Sequence, residues 1–148
     1  MAPALRRVLV DAVAVRVSIV GIGIDLVDID RVRRLFARHG LRAQRRFLTA
    51  AEAAYVNDCA DPARHSAARI AAKEAVYKAM QPLPGARAIG WTDIEVIRGP
   101  EGAPAVGLRG RAAEIARSVP GLVVHLSLTH AELTAGAMAI AELPPSNS

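Results

Sequence analysis

Aromatic residues make up only 3% of this 148-residue chain: two Phe, two Tyr and one Trp. Bases have little to stack on, which argues against a binder of single-stranded nucleic acid. The core must instead be built from Ala, Val, Leu and Ile. Small side chains pack closely but bury little area each, and burial contributes roughly 25 cal/mol per Å². Association between copies is one way for such a chain to bury more. Cysteine is nearly absent as well. Cys59 stands alone, so no internal disulfide can form and a reducing cytoplasm suits the chain. No apolar run is long enough to span a membrane. The first residues resemble a leader only weakly, because Asp11 and Arg16 interrupt the apolar run and no clean cleavage site follows. Residues 1–16 are read as an N-terminal extension, 17–142 as one domain and 143–148 as a flexible tail. The sequence also lacks a P-loop, Cys/His spacing for zinc and a Gly-x-Ser-x-Gly elbow.

What is present is a hydrophobic fraction of 52%, a charged fraction of 22% and a formal net charge of +5. The pI is about 10.3. That balance favours anionic partners: nucleic acid, phosphate-rich ligands or acidic proteins. Val17–Ile24 is β-branched and apolar and reads as a buried strand. Asp28 or Asp30 can cap a helix that runs to about Arg38 and ends near Gly40. Thr49 caps a short helix, with Glu52 completing a capping box. Residues 64–80 form a long Ala-rich helix that Gln81-Pro82-Leu83-Pro84-Gly85 stops. Strands follow over 92–97 and 105–108 around a turn, then a helix over 110–117, then strands over 122–128 and 134–140. The fold class is α+β, one domain with a largely antiparallel sheet.

Four features carry charge or chemistry. Gly21-Ile22-Gly23-Ile24-Asp25 opens like a dinucleotide fingerprint, but Leu26 stands where a third glycine is needed. Asp25 is then either a helix cap or a carboxylate presented at a strand end. On the long helix, Arg69 and Lys73 share one stripe and Glu74 and Lys78 another. These are either solvated pairs or charges lining a crevice that the alanines allow. Strand alternation puts His125, Ser127 and Thr129 on one face, with His130 at the end; hydroxyls and imidazoles there suit phosphate oxygens. Arginines at 31, 33, 34, 38, 42, 45 and 46, with no lysine among them, make a surface suited to carboxylate or phosphate recognition.

Taken together, Gly21 to Asp25, Arg69 to Lys78 with its Ala-Ala-Lys-Glu-Ala core, and His125 to His130 resemble the holo-acyl-carrier-protein synthase family over roughly residues 19–141. The resemblance implies a 4'-phosphopantetheinyl transferase fold. It implies transfer of 4'-phosphopantetheine from coenzyme A to a serine of an apo acyl carrier protein, for fatty acid biosynthesis. Asp25 and Glu74 would hold magnesium, with Lys78 beside the pyrophosphate. Arg69, Lys73, His125, Ser127 and Thr129 would hold other coenzyme A phosphates. His130 is a candidate proton acceptor, although Ala131 stands where some relatives carry an acid. Arg31 would anchor the carrier protein, with Arg34 and Arg38 extending the stripe. A cytoplasmic homotrimer with sites between subunits is implied too. A relative serving polyketide carriers is the nearest alternative. A non-catalytic basic binder is the alternative from another class, and it leaves Asp25 and Glu74 without purpose.

Overall fold

The computed structural model describes residues 18–145. The extension expected over 1–16, Val17 and the final three residues lie outside the described part. Strand β1 (Ser18–Asp28) leads into helix α1 (Ile29–Phe47), followed by α2 (Ala50–Asn57) and the long α3 (Pro62–Met80). A hairpin of β2 (Ile94–Arg98) and β3 (Pro104–Leu108) precedes α4 (Gly110–Ser118), β4 (Val123–His130) and β5 (Thr134–Leu143). The sheets are antiparallel: β1, β5 and β4 in that order, and the β2–β3 pair apart. This is the α+β arrangement expected, and Leu143 is still paired, opposite Ser18.

Helix α3 lies across the inner face of the larger sheet, and small residues let it in. Ala71, Ala75 and Ala79 of the helix are buried, as are Ala135, Ala137, Ala139 and Ala141 of β5. On β1 the inward positions include Gly21 and Gly23. A Cβ on Gly21 would run into the carbonyl oxygen of Ala79, and one on Gly23 into that of Ala75. Strand and helix backbones therefore touch directly. The next inward position is Asp25.

The same alternation corrects the reading of β1 as a buried strand. Because glycine and aspartate face the helix, Ile19, Ile22, Ile24 and Leu26 face away and are 59% to 70% exposed. Val123 and Met138 extend this outer surface on β4 and β5. The outer side of the strand is apolar, and a single chain leaves it uncovered.

Helix α1 is capped by Asp28, whose carboxylate accepts from the Arg31 amide at 2.8 Å. Asp30 instead pairs with Arg33. The helix does not end at Gly40. That residue takes φ 50°, ψ −134°, and helical structure resumes through Phe47. Only glycine tolerates such a conformation comfortably, and it redirects the second half of the arginine-rich segment. Ile29 and Val32 are buried against Ala63, Ala67 and Ile70 of α3. Each fully buried aliphatic side chain of this kind contributes roughly 1.5–3 kcal/mol, which fixes α1 on α3. At Thr49 the capping box forms as expected.

Gly23→Ala is expected to lower unfolding free energy by about 3 kcal/mol, the upper end for overpacking, because backbone rather than a yielding side chain opposes the new methyl. Urea denaturation measures it. A loss below about 0.5 kcal/mol would mean that β1 and α3 part easily.

Candidate active site

Asp25 and Glu74 reach one cleft of about 770 Å³ from different elements, the strand end and the middle of α3. Its other walls carry Arg31, Arg34 and Arg38 of α1, and also Arg46, Phe47 and Trp91. The two carboxylates expected to act together thus do share a cavity, and the expected arginine stripe faces them. Arg33 points elsewhere, to Asp61 at 3.0 Å, and its hydrogen bond holds the Asp61 carboxyl below its ordinary value. Beyond the Gly40 break it is Arg46, not Arg42, that lines the cleft.

Lys78 makes a 2.9 Å ion pair with Asp25 Oδ1 and donates to the Ile24 carbonyl at 2.9 Å. The sequence suggested an ordinary surface pair between Lys78 and Glu74. The strand's close approach offers Asp25 instead, which leaves the Glu74 carboxylate to the cleft. Among the described residues, no three His, Cys, Asp or Glu side chains gather to hold a metal. Two carboxylates are a poor cage by themselves. They fit a cation that completes its shell with water and phosphate oxygens, the habit of magnesium.

Arg69, Ser127, Thr129 and His130 line a second cleft of about 340 Å³, together with Tyr55, His65 and Arg98. The Arg69 guanidinium lies 4.3 Å from the Tyr55 ring centroid. Arg69 is buried, one of its nitrogens donates to the His65 carbonyl at 3.3 Å, and its Nε has no partner. A guanidinium lining a cleft is suited to an anion. Arg64 Nη2 sits 2.6 and 2.9 Å from the two ring nitrogens of His130. Burial lowers the pKa of His65, and the charges of Arg69 and Arg64 lower it further. His125 stays outside this cleft, 3.2 Å from Glu142. On a single chain, the two groups of predicted residues line different cavities.

Lys73 departs from the expectation. It and Arg69 were read as one solvated or phosphate-facing stripe, yet Lys73 is only 1% exposed, as is its partner Glu52 at 2.6 Å. Its ammonium also donates to the Trp91 carbonyl at 2.9 Å. Burial pushes the Lys73 pKa down while the Glu52 carboxylate opposes that shift. The reason for the error is local. A lysine at this helical position meets α2, whose Glu52 the capping box accounted for by itself. Sequence reading also missed Phe47 and Trp91 as cleft walls; the scarcity of aromatics was the available signal.

Residues 21–127 match the family model of the 4'-phosphopantetheinyl transferase superfamily. The chain belongs to that family. A holo-acyl-carrier-protein synthase of Koribacter versatilis is 40% identical over 125 residues, 84% of this chain and 98% of the relative. The acyl carrier protein synthase structure from Mycobacterium tuberculosis is 40% identical with a TM-score of 0.62, covering 86% of this chain and all of that one. The Helicobacter pylori holo-acyl-carrier-protein synthase, solved in complex with coenzyme A, is 28% identical with a TM-score of 0.68 and covers 81% and 98%. The transferase fold expected from the sequence is thus the fold of these relatives.

Glu52→Ala should leave the Lys73 ammonium buried without its carboxylate and lower stability by about 3–5 kcal/mol. Chemical denaturation reads this; a loss under about 1 kcal/mol would show that water reaches Lys73.

Proposed function

We propose that this protein transfers the 4'-phosphopantetheine arm of coenzyme A to a serine hydroxyl of an apo acyl carrier protein and releases adenosine 3',5'-bisphosphate. The observation that carries the reading is the cleft that holds Asp25 and Glu74 opposite Arg31, Arg34 and Arg38. Paired carboxylates beside a row of guanidinium groups make sense for a cation-bridged pyrophosphate met by an acidic protein. They make none for a simple basic surface. Similarity to the coenzyme A-bound Helicobacter protein supports the donor, and the names of the relatives support the acceptor.

Asp25 and Glu74 would hold magnesium, which would supply charge neutralisation at the pyrophosphate. The protein's remaining task is positioning and electrostatic stabilisation, which dominates phosphoryl chemistry. The serine oxygen forms a bond to the phosphorus that bears pantetheine, and the bond from that phosphorus to the oxygen of the nucleotide 5'-phosphate breaks. Lys78, tied to Asp25, would neutralise the departing oxygen. Arg69, Ser127 and Thr129 would hold the remaining coenzyme A phosphate, with His125 on the same strand outside the cleft; the cleft that these three residues share supports this. Lys73 is not in this set, because its ammonium faces Glu52.

The two clefts belong to one active site when copies of the chain meet, which is the reading as a homotrimer with inter-subunit sites. The exposed row of Ile19, Ile22, Ile24 and Leu26 supports it. His130, the candidate proton acceptor, then reaches the serine from a neighbouring copy. No helix among the described residues is long and apolar enough to cross a membrane. With Cys59 as its only cysteine, the chain suits a reducing cytoplasm, and the carrier protein of fatty acid biosynthesis is the acceptor we propose.

Incubation with apo carrier protein, coenzyme A and magnesium should raise the carrier's intact mass by one phosphopantetheine. No mass change with a competent carrier rejects the reading. Asp25→Asn and Glu74→Gln should each abolish magnesium-dependent transfer while melting like the parent. Arg31→Glu should raise the KM for carrier protein about tenfold or more, as loss of a charge-assisted contact of about 1.5–3 kcal/mol requires, and leave the KM for coenzyme A almost unchanged. Equal effects on both would remove α1 as the docking element. Full activity of a monomer in light scattering would sink the trimer.

A further inference from the structure

We propose that Glu52 and Lys73 form a positioning pair that sets Trp91 and the adjacent Glu74 for the reaction; the inference rests on the function proposed above. Lys73 donates to Glu52 at 2.6 Å and to the Trp91 carbonyl at 2.9 Å. The same Glu52 carboxylate accepts from the Thr49 amide at 2.9 Å and from the Val96 amide at 2.8 Å. Two side chains, each 1% exposed, therefore join the start of α2, the middle of α3, the turn at Trp91 and strand β2.

Two of those segments, α3 and the turn at Trp91, line the cleft, and the pair ties them to α2 and β2 behind it. Glu74 follows Lys73 directly on α3. Trp91 lines the cleft of Asp25 and Glu74, and it also lines a smaller pocket of about 270 Å³ with Glu74, Tyr77, Ile89 and Ile94. Trp91 is thus a wall of both cavities, and Glu74 lines both as well. Phe47 meets it edge-on, with ring centroids 5.0 Å apart, so the end of α1 rests on the same wall.

Stability alone does not call for charges here. A buried ion pair can often be replaced by packed apolar groups with no loss of stability. What an apolar replacement lacks is direction. The hydrogen bonds to a backbone carbonyl and two backbone amides hold the wall in one place, and groups behind a metal ligand commonly tune it by about 10- to 100-fold.

The test uses the full chain as an E52Q/K73M double variant, which leaves no unpaired buried charge, and a K73R single variant, which keeps the charge but moves the donors. Trp91 is the only tryptophan, so its fluorescence reads the wall directly. Melting should shift by less than about 5 °C in at least one of the two variants. In the folded variant, acrylamide quenching of Trp91 should rise about twofold. Its kcat should fall about tenfold or more, in the range of supporting-shell losses, while the KM for coenzyme A stays within about threefold. A pair serving only stability would lose activity in proportion to unfolded protein. Parental quenching or parental kcat in a folded variant overturns the inference, as does unfolding of both variants. If the parent itself transfers nothing, the proposed function fails, and the quenching comparison decides whether the pair sets the wall.

Discussion

The direct contact of the β1 backbone with that of α3 is the constraint from which the rest of the molecule follows. Gly21 and Gly23 leave no side chain between the strand and the carbonyls of Ala79 and Ala75. A sheet and a helix ordinarily stand apart by the depth of their side chains. Here that depth is removed at one edge, so a carboxylate two residues further along the strand arrives beside the helix that carries Glu74 and Lys78. The ion pair of Lys78 with Asp25 follows from the same proximity. With a larger residue at position 23, α3 would have to move outward, taking Glu74 with it.

The contact also dictates where the large apolar residues go. Small residues on the inner face leave the β-branched positions of β1 on the outer one. The chain therefore has a thin, alanine-rich interior and an unusually apolar exterior on its larger sheet. Burying aliphatic side chains in an interface between copies would recover area that the interior does not provide. On this view, the scarcity of aromatics and the exposed row of β1 express one design. On a single chain the two clefts are lined by different residues of α3 and stay separate.

Much of the architecture was legible because local signals agreed with the fold. The capping box at Thr49, the proline-rich stop after Met80 and the alternation of β4 each predicted an element that formed. Gly40 was misread as an end because its backbone angles are those of an interruption, and sequence does not say whether a helix resumes. Asp25 and Glu74 were not legible as partners from spacing, since strand and helix meet through tertiary packing; the family resemblance supplied the pairing. Lys73 was misread for a related reason. Its helical stripe contains charge, and charge on a stripe reads as solvated unless an opposite charge is known to cover it. Glu52 does that from a helix whose cap already explained it.

The two lysines of the chain, Lys73 and Lys78, show how position on one helix decides chemistry. They are five residues apart and so lie well around the helix from one another. Lys78 stands partly in solvent against Asp25, where it can answer a change in charge at the strand end. Lys73 is enclosed, and its ammonium carries a desolvation cost that Glu52 offsets. A site that merely needed positive charge would gain nothing by burying it, since water-exposed arginines already surround the cleft. Enclosure makes sense only if the bonds it orients matter. They end on the Trp91 carbonyl and on the two amides that anchor α2 and β2. On the proposed function, two like residues divide the work, Lys78 beside Asp25 at the strand end and Lys73 holding the wall behind the cleft.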